Sequence, residues 1–182
     1  MMVRARAALA GAMTLCVTLS VHGQPAAGTV AGTAVVNGTT VTLKHGVAYG
    51  YGDKLVSLLL ADRPVSVADF QENFAGRAGD PVFPPGMVTG AWTSIYNEGK
   101  LKGITLTFKP DKTLMLDDVM VGKPNDTFGV TDSEYTIAIT TLTATRIAGT
   151  IKTVKPQVAV GSYKYGLDAK FDVPVQPLPL KK

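Results

Sequence analysis

Cysteine and histidine are almost absent from this 182-residue chain, which has one cysteine and two histidines. Cys16 and His22 both fall in the first 23 residues, which we predict to be a removable leader. The rest of the chain then has no cysteine, so no disulfide can hold it even in an oxidising compartment. A single remaining histidine also cannot build a zinc site, and we expect no metal or other cofactor.

Charged residues are scarce as well. They make up 18% of the chain, against about a quarter in ordinary globular domains. The 18 basic and 14 acidic residues give a net charge of +4, which falls to +2 without Arg4 and Arg6 of the leader. Because proteins that bind nucleic acid have a concentrated basic face, we expect no nucleic-acid partner.

Residues 1–23 have the parts of a secretory signal peptide. A short basic region precedes an apolar run from Leu9 to Val21, about a dozen residues and too short to cross a bilayer as a helix. A small glycine then stands before Gln24. We predict cleavage at that point, a periplasmic or extracellular location, and no transmembrane span in the mature chain.

Strand patterns dominate the rest of the chain. In residues 163–173 the apolar side chains alternate with charged side chains or glycine, as in a strand with one buried and one wet face. Asn37 and Gly38 form the favoured pair of a type I′ hairpin turn. The continuous apolar run 54–61 predicts a strand buried on both faces. The predicted strands are 30–36, 40–51, 54–61, 92–97, 101–108, 113–121, 134–140, 146–153 and 163–173.

One helix is predicted between these strands. Ser66 followed by Asp69 resembles a capping box. We expect the helix to run to about residue 75 and to close one end of the sheet structure, and we expect residues 77–90 to form a loop. The side chains at helical spacing on its predicted buried face are Val67, Phe70 and Phe74.

These patterns predict an all-β, mainly antiparallel fold. It would be a β-sandwich or a small filled β-barrel of about eight to ten strands with one short helix. Residues 24–175 would form a single β-rich domain. Residues 176–182 would form a proline-rich C-terminal tail, because prolines disfavour pairing in central strand positions. A phase slip at Asp117 and Asp118 predicts a bulge or the end of a strand there.

Several short stretches resemble a group of secreted bacterial β-rich proteins of unknown function. The resemblance covers nearly all of the mature chain and implies export and a β-rich fold. It implies no activity and no site residues, and residues 76–90 depart from it. The stretches that carry it are Asn37-Gly38, Leu43-Lys44-His45, Asp62-Arg63-Pro64-Val65, Gly99-Lys100-Leu101-Lys102-Gly103-Ile104, Ile147-Ala148-Gly149-Thr150-Ile151 and 165–175.

Two groups of residues are candidates for binding. Large aromatic rings with a polar group can stack on a sugar ring or line the mouth of a pocket, although they also suit the rim of a core. Carboxylates in loops can hold calcium, although adjacent acids also occur in solvated turns and no EF-hand spacing is present. The ligand-binding candidates are Tyr49, Tyr51, Trp92, Tyr96 and His45, and the calcium candidates are Asp117, Asp118, Asp126 and Asp132.

Three functions are compatible with this sequence. The first is a non-catalytic binding or interaction module of the bacterial envelope, with an unknown protein or small-molecule partner at exposed strand edges. The second is a small secreted hydrolase with loop carboxylates, and the third is a carrier of a small ligand or lipid in an internal apolar cavity. We predict the first, because the frame is β-rich, histidine is scarce and the mature chain has no cysteine.

Overall fold

The structure, a computed structural model, describes residues 28–52, 54–76 and 85–180. The predicted leader and its cleavage point lie outside the described residues. The strands are β1 (Thr29–Val36), β2 (Thr39–Leu43), β3 (His45–Tyr51), β4 (Leu55–Ala61), β5 (Gly103–Phe108), β6 (Leu114–Met120), β7 (Tyr135–Leu142), β8 (Arg146–Thr153), β9 (Val158–Val160) and β10 (Tyr163–Pro177). The helices are α1 (Val67–Asn73), α2 (Pro85–Asn97) and a 3-10 turn at Asp132–Glu134. No helix in the described part is long and apolar enough to cross a membrane.

Strand β10 joins two sheets. Most of its length pairs with β1 on one edge and β8 on the other, which gives sheet A in the order β7-β8-β10-β1-β2, with β9 beside the start of β10. Residues 175–177 then pair in parallel with β3 and begin sheet B, in the order β10-β3-β4-β5-β6. Every other described pairing is antiparallel, so the predicted all-β, mainly antiparallel fold is confirmed.

The inner faces of the two sheets pack around one apolar core. The alternation predicted for residues 163–173 is confirmed, because the apolar side chains of β10 point into this core and its charged side chains face outward. Burial of apolar surface on this scale is the main favourable contribution to folding. The core residues of β10 that are at most 4% exposed are Tyr165, Leu167, Ala169, Phe171 and Val173.

The outer face of sheet B carries a second apolar core, which α1 and α2 cover. As a result β4 is buried on both faces, with Leu58 and Leu60 in the first core and Leu59 and Ala61 in the second. This confirms the prediction made from the continuous apolar run. The molecule therefore has three layers, namely sheet A, sheet B and a pair of helices.

The strand predicted at residues 92–97 is wrong, because those residues belong to α2. Pro85 begins this helix, where a proline costs no hydrogen bond. Val88, Trp92 and Ile95 recur at helical spacing and are buried against sheet B. Two glycines, Gly86 and Gly90, and the preceding prolines hid this period in the sequence.

Helix α1 forms where it was predicted, but it covers a face of sheet B and not an end of the sheets. Ser66 caps it by accepting a hydrogen bond from the N–H of Asp69, and the helix ends at Asn73. Phe70 is buried as expected. The expectation for Val67 is wrong, because its side chain is 49% exposed.

Three local details of the strands differ from the sequence interpretation. The predicted strand 40–51 is two strands, because the chain passes from sheet A to sheet B at Lys44. The irregularity in β6 lies at Met115, opposite the step from Thr107 to Phe108, and β6 continues through Asp117 and Asp118. Strand β10 pairs as far as Pro177, at the edge of β3.

The type I′ turn predicted at Asn37 and Gly38 is confirmed by positive φ angles of 48° and 83° at these two central residues.

We predict that Phe70→Ala lowers the free energy of unfolding by roughly 3–5 kcal/mol, because the ring is fully buried and contacts three other aromatic rings. Val67→Ala on the same helix is the matched control and should change it by less than about 0.5 kcal/mol, since Val67 is half exposed. Urea denaturation measures both. Equal effects of the two substitutions would contradict the packing of α1 on sheet B.

Candidate functional site

The aromatic ligand-binding candidates lie together in the second core. Tyr49 stacks on Trp92 with ring centroids 5.8 Å apart, and Phe70 packs against both. Tyr51 and Tyr96 belong to the same cluster, and all four candidate rings are at most 8% exposed. Burial raises the pKa of Tyr49 to about 12, so its phenol is neutral at physiological pH. The rings stabilise the contact between the helices and sheet B and offer no open stacking face.

A short polar row crosses the same buried surface. The hydroxyl of Tyr51 lies 2.8 Å from that of Ser57, which lies 2.7 Å from that of Thr107. Within the described residues, Thr105 Oγ1 and Trp92 Nε1 are buried without a hydrogen-bond partner. The row links β3, β4 and β5 beneath the helices.

The remaining candidates are scattered over the molecule. His45 begins β3 opposite Ala61 and is half-buried. Asp117 faces the first core, whereas Asp118 next to it faces the helix side of sheet B. The two loop acids lie elsewhere, and in the described part of the chain no three His, Cys, Asp or Glu side chains group as metal ligands do.

The two loop acids have separate positions. Asp126 accepts a hydrogen bond from the hydroxyl of Tyr163, and its backbone carbonyl lies 3.2 Å from the hydroxyl of Tyr96. Asp132 begins the exposed 3-10 turn. The calcium hypothesis therefore has no shared set of oxygen ligands among these residues.

Asp117 is the most unusual titratable group of the first core. Tyr135 donates its hydroxyl to Asp117 Oδ2 at 2.9 Å, and the N–H of Val130 donates at 3.0 Å. Burial raises the pKa of Asp117 to about 6, although both hydrogen bonds act to lower it. Burial also raises the pKa of Tyr135 and of Tyr165, whose hydroxyl lies 3.4 Å from that of Tyr135. The carboxyl group thus ties β6 to β7 across the core.

An open cleft, here named the β2 cleft, lies where the chain passes from β2 in sheet A to β3 in sheet B. Its volume is about 390 Å³ and its lining is mainly polar. Three cations and one carboxylate line it, which gives a net charge of +2. Asp62 is already engaged, because its Oδ1 accepts the N–H of Lys102 at 2.8 Å. The lining residues are Thr39, Thr40, Val41, Thr42, Lys44, Asp62, Arg63 and Lys102.

The free edge of β2 faces this cleft. The tight turn makes Val36 and Thr39 the first hydrogen-bonded pair with β1, so the peptide groups of Thr40 and Thr42 point away from β1. Peptide groups of alternate residues point to the same side of a strand, so Lys44 points the same way as Thr40 and Thr42. Its N–H donates to the carbonyl of Ala61 in β4 at 2.9 Å and not to β1, which confirms that these peptide groups point away from β1. No strand within residues 28–52, 54–76 and 85–180 pairs with this edge.

A second cleft, here named the end cleft, opens between the two sheets at one end. Its volume is about 480 Å³ and its lining is mainly apolar. It is built from the β3–β4, β5–β6 and β7–β8 turns and the end of β10. The lining residues are Gly50, Tyr51, Gly52, Lys54, Leu55, Val56, Pro110, Leu142, Thr143, Ala144, Gln176 and Pro177.

No family model, curated protein or solved structure matches this chain. The resemblance to secreted bacterial proteins stays a prediction.

Neither cleft was identified from the sequence. The cations Lys44, Arg63 and Lys102 come from three separate segments. Backbone bonds from Lys44 to Ala61 and between Asp62 and Lys102 bring these segments together, and neither contact is visible in the sequence. The available signal was the run of polar threonines beside a strong hairpin turn, which is typical of an exposed edge strand.

We predict that the free energy of unfolding falls as pH rises from about 4 to about 6. The folded-state pKa of Asp117 lies above its ordinary value of 3.8, so the folded protein binds more protons than the unfolded chain in this window. Asp117 makes its full contribution to the free energy of unfolding below the unfolded-state pKa, and this contribution is lost by about pH 6. Its size is on the order of 3 kcal/mol.

The measurement is urea denaturation across this pH range. Asp117→Asn should reduce the slope, because the amide oxygen still accepts hydrogen bonds but does not titrate. A smaller slope should remain, since burial also raises the pKa of Asp118. Asp168→Asn, at an exposed position on β10, is the control and should retain the slope. A slope that is the same in the Asp117→Asn protein would refute the assignment.

Proposed function

We propose that this protein is an exported, non-catalytic interaction module of the bacterial envelope, and that β2 binds an extended acidic segment of a partner protein as an added strand. The export part of the proposal rests on the predicted signal peptide and on the resemblance to secreted proteins. The binding part rests on the β2 cleft.

The filled interior supports a module over the two alternatives. Both cores are occupied by packed side chains, and the clefts open at the surface. A hydrolase of the predicted kind needs two converging carboxylates. Among the described residues, the β2 cleft has one carboxylate, Asp62, the end cleft has none, and a hollow on the outer face of sheet A has one, Asp168.

The observation that carries the proposal is an unpaired strand edge beside a net positive cleft. A peptide that adds to a sheet edge gains affinity from main-chain hydrogen bonds and specificity from its side chains. The outward peptide groups of Thr40 and Thr42 provide donors and acceptors for such bonds. Lys44 and Lys102 have no carboxylate partner in the described chain, so acidic side chains are the complementary ones.

The outer edges of β6 and β7, the terminal strands at the other ends of the two sheets, are protected from pairing, whereas the edge of β2 is not. The edge of β6 receives a bridge from Phe128, whose carbonyl accepts the N–H of Val119 at 2.8 Å. The edge of β7 has a bulge at Thr140, and Lys112 donates to the carbonyl of Ile139 at 3.2 Å. Bulges and lysines of this kind protect strand edges from pairing.

The same cations favour a foreign segment over a second copy of this chain. Two β2 edges brought side by side would each carry a cleft of net charge +2. Like charges that face each other across a strand pair are destabilising. The partner is therefore expected to be a different chain with acidic residues in extended conformation.

We predict that a seven-residue peptide of alternating Glu and Val binds the protein, and that the same peptide with alternate N-methylated amides does not, because it cannot donate to a strand edge. Isothermal calorimetry measures both affinities. A peptide of alternating Lys and Val should bind at least about tenfold more weakly, since it faces like charge.

Matched charge variants locate the site. Lys44→Glu with Lys102→Glu should abolish binding of the acidic peptide. Lys152→Glu with Lys170→Glu makes the same change in net charge on the exposed face of sheet A and should leave affinity within about twofold. Equal binding of the N-methylated peptide, or displacement by inorganic phosphate alone, would reduce the site to a general anion site and overturn strand addition.

A further inference from the structure

We infer that the hollow on the outer face of sheet A, here named the sheet A hollow, binds a small zwitterion of the α-amino acid class. The ammonium group would lie at Asp168 and the carboxylate at Lys152 and Lys155. This inference goes beyond the proposed strand addition, because the hollow and the β2 cleft share no lining residue. The volume of the hollow is about 440 Å³, within the roughly 300–1,000 Å³ typical of small-molecule sites.

A glycine of β10 shapes the hollow. Gly166 lies between the inward-pointing Tyr165 and Leu167, so a side chain at this position would point outward. A Cβ atom there would lie 2.3 Å from the carbonyl oxygen of Pro156. Because the glycine has no side chain, the β8–β9 connection lies directly against β10 and forms a wall on the outer face of the sheet. Side chains of β1 line the hollow as well.

Hydrogen bonds hold this wall in place. Thr153 Oγ1 donates to the carbonyl of Lys155 at 2.7 Å and accepts the N–H of Leu167 at 3.3 Å. The N–H of Val154 donates to the carbonyl of Glu134 at 2.9 Å. The wall is therefore tied both to β10 and to the residue before β7. A site that is formed before its ligand arrives loses less conformational entropy on binding.

The hollow presents charges of both signs. Lys152 and Asp168 are direct partners on β8 and β10, and both side chains are exposed on the outer face, while Lys155 lies in the wall. None of the three forms an ion pair with a described residue. Side chains of direct partners start about 5 Å apart, so one small ligand can reach both. An ammonium and a carboxylate on the same carbon atom complement this pair, whereas a ligand of one sign would also meet like charge.

Apolar surface lies beside the charges. Val35 is the partner of Gly166 on β1, and Val154 is 48% exposed on the wall. Pro156 adds a ring that has no N–H to satisfy. An aliphatic side chain placed here removes apolar surface from water. The hollow therefore fits an amino acid with an aliphatic side chain.

The probe is L-leucine, followed by amide chemical shifts of the full chain. We expect saturable binding with shifts at Val35, Val154 and Asp168. N-acetyl-L-leucine lacks the ammonium group and L-leucinamide lacks the carboxylate. Each should bind about three- to fivefold more weakly than leucine, the effect of one exposed ion pair.

Matched variants assign the two ends of the ligand. Asp168→Asn should remove the preference for leucine over N-acetyl-leucine and keep the preference over leucinamide. Lys152→Gln with Lys155→Gln should do the reverse. Lys170→Gln, on the same face of β10 but outside the hollow, is the control and should keep both preferences.

A filling variant tests the location. Thr33→Trp places a large ring in the hollow and should abolish leucine binding, and Val35→Trp tests the same space if Thr33→Trp fails to fold. Thr29→Trp places the same ring farther along the exposed face of β1 and should leave leucine binding unchanged. Absence of saturable binding at millimolar leucine, equal affinities for the three probes, or leucine binding that survives in a folded filling variant would overturn the inference.

Discussion

Burial of β4 and β5 on both faces is the constraint on which the rest of this structure depends. Strand β4 carries apolar side chains on both faces, whereas β5 carries apolar side chains on one face and the buried threonines Thr105 and Thr107 on the other. A two-sided apolar strand in water needs a cover on each side. Sheet A provides one cover and the two helices provide the other, so the three layers follow from this single pattern.

The crossing between layers explains where the clefts lie. The chain passes from one sheet to the other without a loop at two places, at Lys44 between β2 and β3 and within β10, which ends against β3. The β2 cleft lies at the first crossing and the end cleft lies at the second. Binding surfaces at the margins of a rigid sandwich need no gap in its core.

Local patterns predicted sheet A well, because its strands have one wet face and therefore alternate. Asn37 and Gly38 fixed the hairpin through their turn chemistry. Helix α2 was not predicted, because the helical spacing of its buried residues is meaningful only when sheet B is known to pack against them. In the sequence, Asp117 only interrupts the alternation of apolar and polar residues. Its burial was not predicted, because its hydrogen-bond partners Val130 and Tyr135 lie in other segments of the chain. The β2 cleft was hidden for the same reason, as three separate segments supply its cations.

The most direct test of this account is native-state hydrogen exchange of the backbone amides. The account predicts that amides of Leu58 and Leu106 exchange only through global unfolding, because their strands are covered on both faces. It also predicts that the amides of Thr40 and Thr42 exchange at nearly unprotected rates, while Val41 between them is protected by β1. Protection of Thr40 and Thr42 equal to that of Val41 would contradict an open β2 edge, and rapid exchange at Leu58 and Leu106 would contradict the three-layer core.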